Sequence, residues 1–378
     1  MPDLPLQDLK IIDFTTLLPG PLATLLLAEA GAEVIKIEPP EGEGMRDAGR
    51  RWGGHSALFA LLNAGKSSLA LDLKEADNVA RLMPLIEEAD VLVEQFRPGV
   101  MARLGLDYDT LKPRNPRLIY CSITGYGQTG PLAGRAGHDL NYMGECGVLA
   151  LNAGPVQAPQ LPPVLAADIA GGAYPAVMNI LLAVMQRTRT GKGCHIDVAM
   201  SENMFPFAFW ALAEGELGGH WPKHGSDLFS GGRARYQLYA TSDGGLVAVA
   251  ALEEKFWQAF CQAIDLPQEL RDDRANPGAS IEAVKDAIGR HAAVHWEALF
   301  ARIDCCCSVV KTLEEALQSE HFSSRHVFDR KLSGGELLSA LPLPLSPDLR
   351  RPPDGKQCPP ELGERNAAPS FSRRSQTG

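Results

Sequence analysis

The chain has 378 residues, 45% of them apolar and 22% charged, which is the balance of a soluble globular protein of about two domains. A formal net charge of −10 argues against nucleic acid as a partner, although local basic groups can still hold an anion. No run of about 18 apolar residues is present, so no transmembrane helix is expected. The first residues, Met1-Pro2-Asp3-Leu4-Pro5, lack the basic start and apolar core of a signal peptide, and the expected compartment is the cytoplasm. The 8 cysteines are scattered apart from Cys305-Cys306-Cys307 and form no CxxC pair with a matching Cys or His cluster, so no structural zinc is expected.

In chain order, residues 9–14 read as a strand, Pro19-Gly20-Pro21 as a break, and Leu22 to Ala30 as an apolar helix ended by Gly31. Residues 32–38 are a second strand closed by Pro39-Pro40, so the segment is a βαβ unit of the kind that builds parallel sheets. The alternation continues with a strand at 68–73, a helix from Glu75 to about Ala89, and strands at 90–94 and 118–123. These short apolar runs predict an open α/β sheet with helices on its faces. Ligands of such sheets bind beyond the carboxyl ends of the strands. There the sequence places Pro19-Gly20-Pro21, Arg97-Pro98-Gly99 and the loop Gly125–Pro131. No GxGxxG or Walker lysine motif follows the first strand, so nicotinamide and P-loop chemistry are not expected.

Beyond that loop stands Gly137-His138-Asp139-Leu140-Asn141-Tyr142, and Asp168 opens an apolar helix running from about Ile169 to Arg187. A histidine and a carboxylate are the side chains best suited to moving protons near neutral pH. Taken alone, His138 also reads as a loop histidine making one backbone bond, and Asp168 as a helix cap. A strand at 194–198, a helix from Ser201 to about Glu214 and a Gly- and His-rich linker at 217–232 follow. Then come a hairpin, 236–240 and 246–250, and helices at about 254–264, 280–290 and 294–303, which together predict a smaller α+β domain. Beyond about 345 the composition turns to Pro, Ser and Arg without periodicity.

Several separated segments resemble the class III CoA-transferase (CaiB/BaiF) family, which includes the α-methylacyl-CoA racemases. They are Leu9–Thr15 with Pro19-Gly20-Pro21, residues 31–38, Asn63-Ala64-Gly65-Lys66, Phe96-Arg97-Pro98-Gly99-Val100, Arg103-Leu104-Gly105-Leu106 and Thr124–Pro131. The likeness resumes at Thr190-Gly191-Lys192-Gly193, Asp197-Val198-Ala199-Met200 and Ala251-Leu252-Glu253. It implies a large Rossmann-like CoA-binding domain whose first part is 1–200, a linker at 201–224, a small α+β domain at 225–305, and a return to the large domain at 306–345. A disordered tail is expected at 346–378. The resemblance also implies an interlocked homodimer and an acyl-CoA substrate, with no membrane or nucleic-acid partner and no cofactor beyond the CoA moiety itself.

The racemase branch is implied by three residues. Asp168 matches the carboxylate shared by the whole family, a nucleophile in the transferases and an acid/base in the racemases. His138, in its Gly-His-Asp-x-Asn-Tyr segment, matches the racemase histidine across the substrate from that carboxylate. Glu253 matches the glutamate that orients the histidine, although it also reads as an ordinary helix start. Asp139 either holds its loop or takes part in the chemistry. Backbone N–H groups of Ala170-Gly171-Gly172 are expected to stabilise an enolate, with the glycines letting the thioester oxygen approach. Lys36, Lys66, Arg97 and Arg103 are the CoA-phosphate candidates, and Tyr126 packs either on the pantetheine arm or on the sheet. In one departure from the branch, Gly231-Gly232-Arg233-Ala234-Arg235-Tyr236 carries arginines where many racemases have an apolar, proline-containing stretch.

Overall fold

A computed structural model describes residues 4–152, 154–155, 157–352 and 357–372. The chain divides into two compact units. The first comprises Met1–Cys146, Val164–Pro206 and Ser323–Gly378, and the second Gly147–Pro163 and Phe207–Phe322. The second unit is therefore wider than the 225–305 anticipated, and a short excursion at 147–163 belongs to it. Its N-terminal boundary falls inside the expected linker, most of which is helical, with a 3-10 turn over Glu202–Ala208 and an α-helix over Phe209–Gly218.

The first unit is built on β1 (Lys10–Asp13), α1 (Pro19–Glu29), β2 (Glu33–Glu38), β3 (Ser67–Ala70), α2 (Ala76–Glu88), β4 (Val91–Glu94) and β5 (Ile119–Thr124). After them come α3 (Asp139–Glu145), α4 (Tyr174–Thr190) and β6 (His195–Ala199). The six strands are all parallel, in the order β3-β2-β1-β4-β5-β6. Strand order reverses between β1 and β4, which opens a crevice at their carboxyl ends. Pro19-Gly20-Pro21 is the first turn of α1 and not a break before it. Proline fixes a helical φ, and at that position its missing N–H would have had no intrahelical partner.

Alternation along β1 sends Ile12 and Phe14 into a core shared with Leu82, Leu85 and Ile86 of α2, while Asp13 turns to the opposite face and α1. Asp13 is fully buried and accepts hydrogen bonds from Thr15 N (2.8 Å), Thr15 Oγ1 (2.5 Å), Thr24 Oγ1 (2.6 Å) and Lys66 Nζ (3.2 Å). Burial alone would raise this carboxyl, but Lys66, Lys36 and the two hydroxyls hold it below its ordinary value. Lys66 also donates to Pro21 O and Asn63 Oδ1, and burial pushes its amine down to about 8. Lys36 donates to Thr15 O at 2.5 Å and pairs with Glu43 at 3.4 Å.

The apolar helical run Ala167–Thr190 is long and apolar enough to cross a membrane by length and composition, which the sequence reading did not anticipate. Its first part packs on α1, and near its end buried Arg187 pairs with partly exposed Asp90 at 2.9 Å.

The expected disorder of 346–378 is corrected over 346–352, where Pro347–Leu349 forms a 3-10 turn and Arg351 N donates to Glu29 O at 2.9 Å, and over 357–372. Gly65 N bonds to Cys358 O, Arg365 N to Ser68 O at 2.9 Å, and Ala70 N to Asn366 Oδ1 at 2.9 Å. Phe371 enters the core beside Ile35 and Leu69, and Ser372 binds Glu33. The segment covers the outer edge of β3, whose peptide groups would otherwise stay unpaired. It does so with single bonds and one aromatic anchor, which leave no periodic pattern. Residues 353–356 and 373–378 of that stretch lie outside the described residues.

The second unit holds a three-stranded antiparallel sheet, with β7 (Tyr236–Ala240) and β9 (Cys307–Val309) flanking β8 (Leu246–Ala250). Alternate residues Tyr239, Val247 and Val249 share a core with Trp257 and Phe260 of α5 (Glu254–Ala263), with Val284 and Ile288 of α6 (Pro277–Ile288), and with Trp296 of α7 (Ala293–Phe300). Cys305 belongs to this core, exposed Cys306 takes the left-handed conformation (φ 54°), and Cys307 begins β9.

Removing one partner of a buried ion cluster leaves the remaining charges uncompensated. Asp13→Leu strands Lys66, its direct ion-pair partner, while Lys36 keeps Glu43, so an equilibrium unfolding titration should show a loss of about 3–5 kcal/mol.

Candidate active site

The crevice at the strand-order reversal is a cleft of about 420 Å³. Thr16, Leu17 and Pro19, after β1, form one wall, and Gln95-Phe96-Arg97-Pro98, after β4, form the other. Gln95 accepts a hydrogen bond from Gly20 N at 3.0 Å, so its side chain caps α1 from within the cleft. His138, Asn141, Tyr142 and Asp168 complete the lining, together with Gly137, Arg135 and Met200. The fold therefore brings the histidine and the aspartate singled out in the sequence into one cavity.

Tyr142 anchors the segment that carries His138. Its ring fills the space above Gly125 and Gly137, where a Cβ would lie 2.2 and 2.7 Å from Tyr142 Cε1, and its hydroxyl donates to Gly137 O. Tyr126 meets this ring edge-on at 5.3 Å. His138 is the N-cap of α3; its N–H donates to Asn141 Oδ1 at 3.1 Å, and its carbonyl accepts from Asn141 N and Tyr142 N. The backbone is thus fixed on both sides, while the imidazole is exposed.

Asp168 lies in a single π-helical stretch, Ala167–Ala173, that runs directly into α4. Its backbone N–H donates to the Asp139 carboxylate at 2.9 Å. Asp139 itself is buried and does not line the cleft. Of the two roles open to it, the structure gives it the holding one: it ties the start of α3 to the turn that presents Asp168. Burial, with the Asp139 charge beside it, raises the Asp168 carboxyl to about 6, against a smaller pull from His138. A carboxyl in that range both accepts and returns protons near neutral pH.

The family model for CoA-transferase family III matches residues 6–366. The chain belongs to that family. It is 33% identical to the α-methylacyl-CoA racemase of Mus musculus over 362 residues, covering 95% of this chain and 91% of that protein. It is also 32% identical to the acetyl-CoA:oxalate CoA-transferase of Acetobacter aceti, covering 96% and 94%. A solved CaiB/BaiF family protein from Brucella suis superposes with a TM-score of 0.80 at 30% identity, covering 97% of this chain and 98% of that one.

Several expected positions stand elsewhere in this family member. Lys36 and Lys66 are not offered to a phosphate: both ammonium groups are buried and spent on the Asp13 cluster. A lysine beside a ligand-binding edge looks the same in sequence whether it points out or in. Arg97 is exposed and lines both the main cleft and a neighbouring one of about 140 Å³. Arg103 is exposed at the end of a short helix, its guanidinium 3.6 Å from where a Cβ on Gly99 would lie. Tyr126 is buried with its hydroxyl unpartnered among the described residues, and burial raises that hydroxyl. Glu253 is exposed at the N-cap of α5 in the second unit.

Gly171 and Gly172 serve packing instead of substrate approach. A Cβ on Gly171 would fall 2.5 Å from Met200 O, and one on Gly172 3.0 Å from Met200 Cγ and 3.1 Å from Pro19 Cβ. Neither lines the cleft. Gln95 and Arg135 also line the cleft and were not among the residues singled out in the sequence; Arg135 pairs with Glu145 at 2.6 Å. Their signal was position alone, next to Phe96-Arg97 and to Gly137. Among the described residues no group of three or more His, Cys, Asp or Glu side chains is placed to hold a metal ion.

The raised Asp168 carboxyl has a stability consequence. A carboxyl whose folded value exceeds its unfolded one costs nothing below the unfolded value; the destabilisation grows as pH rises from there and is complete above the folded value, here about 6. For a fully buried group the displacement corresponds to about 3 kcal/mol. Asp168 keeps solvent contact, which reduces this to about 1 kcal/mol. Asp168→Asn should therefore stabilise the protein by about 1 kcal/mol at about pH 8 and by nothing below about pH 4, read by thermal unfolding at both.

Proposed function

We propose that this chain is a racemase or epimerase that inverts the α-carbon of 2-methylacyl-CoA thioesters by two-base proton transfer. The observation that carries the reading is the placement of His138 and Asp168 in one cleft at the carboxyl edge of the sheet. One group removes the α-proton from one face of the carbon while the other returns a proton to the opposite face, through an enolate. The roles exchange for the other enantiomer. Asp168, raised to about 6, is mostly ionised at neutral pH yet not so acidic that reprotonating the enolate is slow. Arg97, exposed at the rim, is the cation best placed to meet a CoA phosphate. In this reading Glu253 orients the imidazole of His138. Likeness to the mouse racemase supports the branch.

A second reading is acyl-CoA:carboxylate CoA-transfer with Asp168 as covalent nucleophile. It is supported by the nearly equal likeness to the oxalate CoA-transferase. His138 separates the two. In D₂O the wild type should wash deuterium into the α position of a 2-methylacyl-CoA. His138→Ala should lower that exchange by at least about 100-fold. Absence of exchange across several chain lengths, with an acyl adduct on Asp168 trapped by hydroxylamine, would establish the transferase instead.

The proposal includes a homodimer. On α4, Tyr174, Met178, Leu181, Leu182 and Met185 form one exposed apolar stripe at helical spacing. A stripe of this kind marks an association surface, and a second copy of the chain is its proposed occupant. Leu182→Glu combined with Met185→Glu should convert a dimer into a monomer in analytical ultracentrifugation, with loss of exchange activity. A wild type that sediments as a monomer would exclude the assembly.

A further inference from the structure

An orienting carboxylate is only as well aimed as the backbone that carries it. Glu253 stands at a chain reversal between β8 and α5, and its C-terminal side is fixed by the first helical turn. Phe256 N and Trp257 N both donate to Glu253 O at 3.0 Å. The N-terminal side has no such helix. There Leu252 N donates to Ala250 O at 2.9 Å and Ala251 N to Arg235 O at 2.9 Å. The Arg235 side chain then continues along the same reversal. Its Nη1 reaches Leu252 O at 3.4 Å and Glu254 Oε2 at 3.2 Å, the residues on either side of Glu253.

The guanidinium is itself held rigidly. Nε lies 3.0 and 3.1 Å from the two Asp273 carboxylate oxygens, Nη2 lies 2.9 Å from Oδ1, and the group stacks 5.0 Å over the Trp257 ring. Asp273 is fully buried, and Arg233 Nη1 donates to its carbonyl at 3.0 Å. The two arginines that departed from the apolar stretch of the racemases are therefore directed into the second unit. We infer that Arg235, clamped by Asp273, is a positioning residue that fixes the aim of Glu253 by holding both of its neighbours. The inference rests on the racemase reading, in which Glu253 orients His138.

A lysine at 235 keeps the charge against Asp273 but lacks the planar fork that spans Asp273, Leu252 and Glu254 at once. Arg235→Lys should therefore fold, lower kcat for α-proton exchange by about tenfold and leave KM within about twofold. The loss should shrink below about twofold in a Glu253→Gln background, because the aim of an absent carboxylate no longer matters. Amide hydrogen exchange at Phe256 and Trp257 should accelerate in Arg235→Lys. The double variant Arg235→Leu/Asp273→Leu removes both buried charges and should show the same kcat loss without recovery. Full kcat in folded Arg235→Lys, or an equal loss in the Glu253→Gln background, overturns the inference. A wild type that exchanges no α-proton overturns the racemase reading instead. The mount is then judged by amide exchange, where unchanged protection of Phe256 and Trp257 overturns it.

Discussion

The buried carboxylate of Asp13 is the constraint on which the cleft depends. It sits at the carboxyl end of β1, where strand order reverses, and binds Thr15 in the following loop, Thr24 on α1 and Lys66 ahead of β3. A carboxylate without partners could not stay charged there, because desolvation would force it to take up a proton. With them, four segments converge on one atom group. The loop that leaves β1 is thereby held in a single conformation, and Thr16, Leu17 and Pro19 form a wall instead of a mobile strap. Lys36, bonded to Thr15 O, closes the arrangement from β2.

The side of the cleft that carries His138 and Asp168 depends on a second buried carboxylate used differently. Asp139 accepts a backbone N–H from Asp168, so the charge that holds the turn also repels the carboxyl it presents. Structure and reactivity are coupled through one distance, 2.9 Å. An apolar residue at 139 would release the turn and remove the repulsion together, whereas asparagine would remove only the repulsion. The π-helical register of Ala167–Ala173 contributes to this geometry. Such one-turn bulges inside α-helices recur at functional sites, where they redirect a side chain that regular spacing would aim elsewhere.

Most of the parallel sheet could be read from sequence because each buried strand is a short apolar run bounded by Gly, Pro or charge, as in β1, β2, β4 and β5. The hairpin β7–β8 was equally legible from two five-residue, largely apolar runs on either side of the turn Ser242-Asp243-Gly244-Gly245. The cleft was legible through the pairing of His138 and Asp168 with loops after strands. What escaped has a common cause: direction. Lys36 and Lys66 have the residue type of phosphate ligands, but only the fold reveals that both turn inward. Gly171 and Gly172 could serve a ligand or a neighbouring chain segment, and Met200 decides between them. The C-terminal 357–372 stretch carries no period because it follows the edge of β3 by isolated bonds. Arg235 stood out as a departure from an apolar stretch and proved to point at Asp273 and Trp257 within its own unit.

That last case bears on how such a site tolerates sequence change. A buried Arg–Asp pair is a poor source of stability, since desolvation offsets much of its attraction, and an apolar pair of similar volume often serves as well. What the pair supplies is direction: a planar fork fixed by Asp273 and stacked on Trp257 leaves Nη1 with two targets, and both flank Glu253. Apolar packing at the same place would hold the core but not the carbonyl of Leu252. If Glu253 works by orienting an imidazole, geometry matters more at this corner than stability does. An ion pair that contributes little to folding is then retained for the angle it imposes.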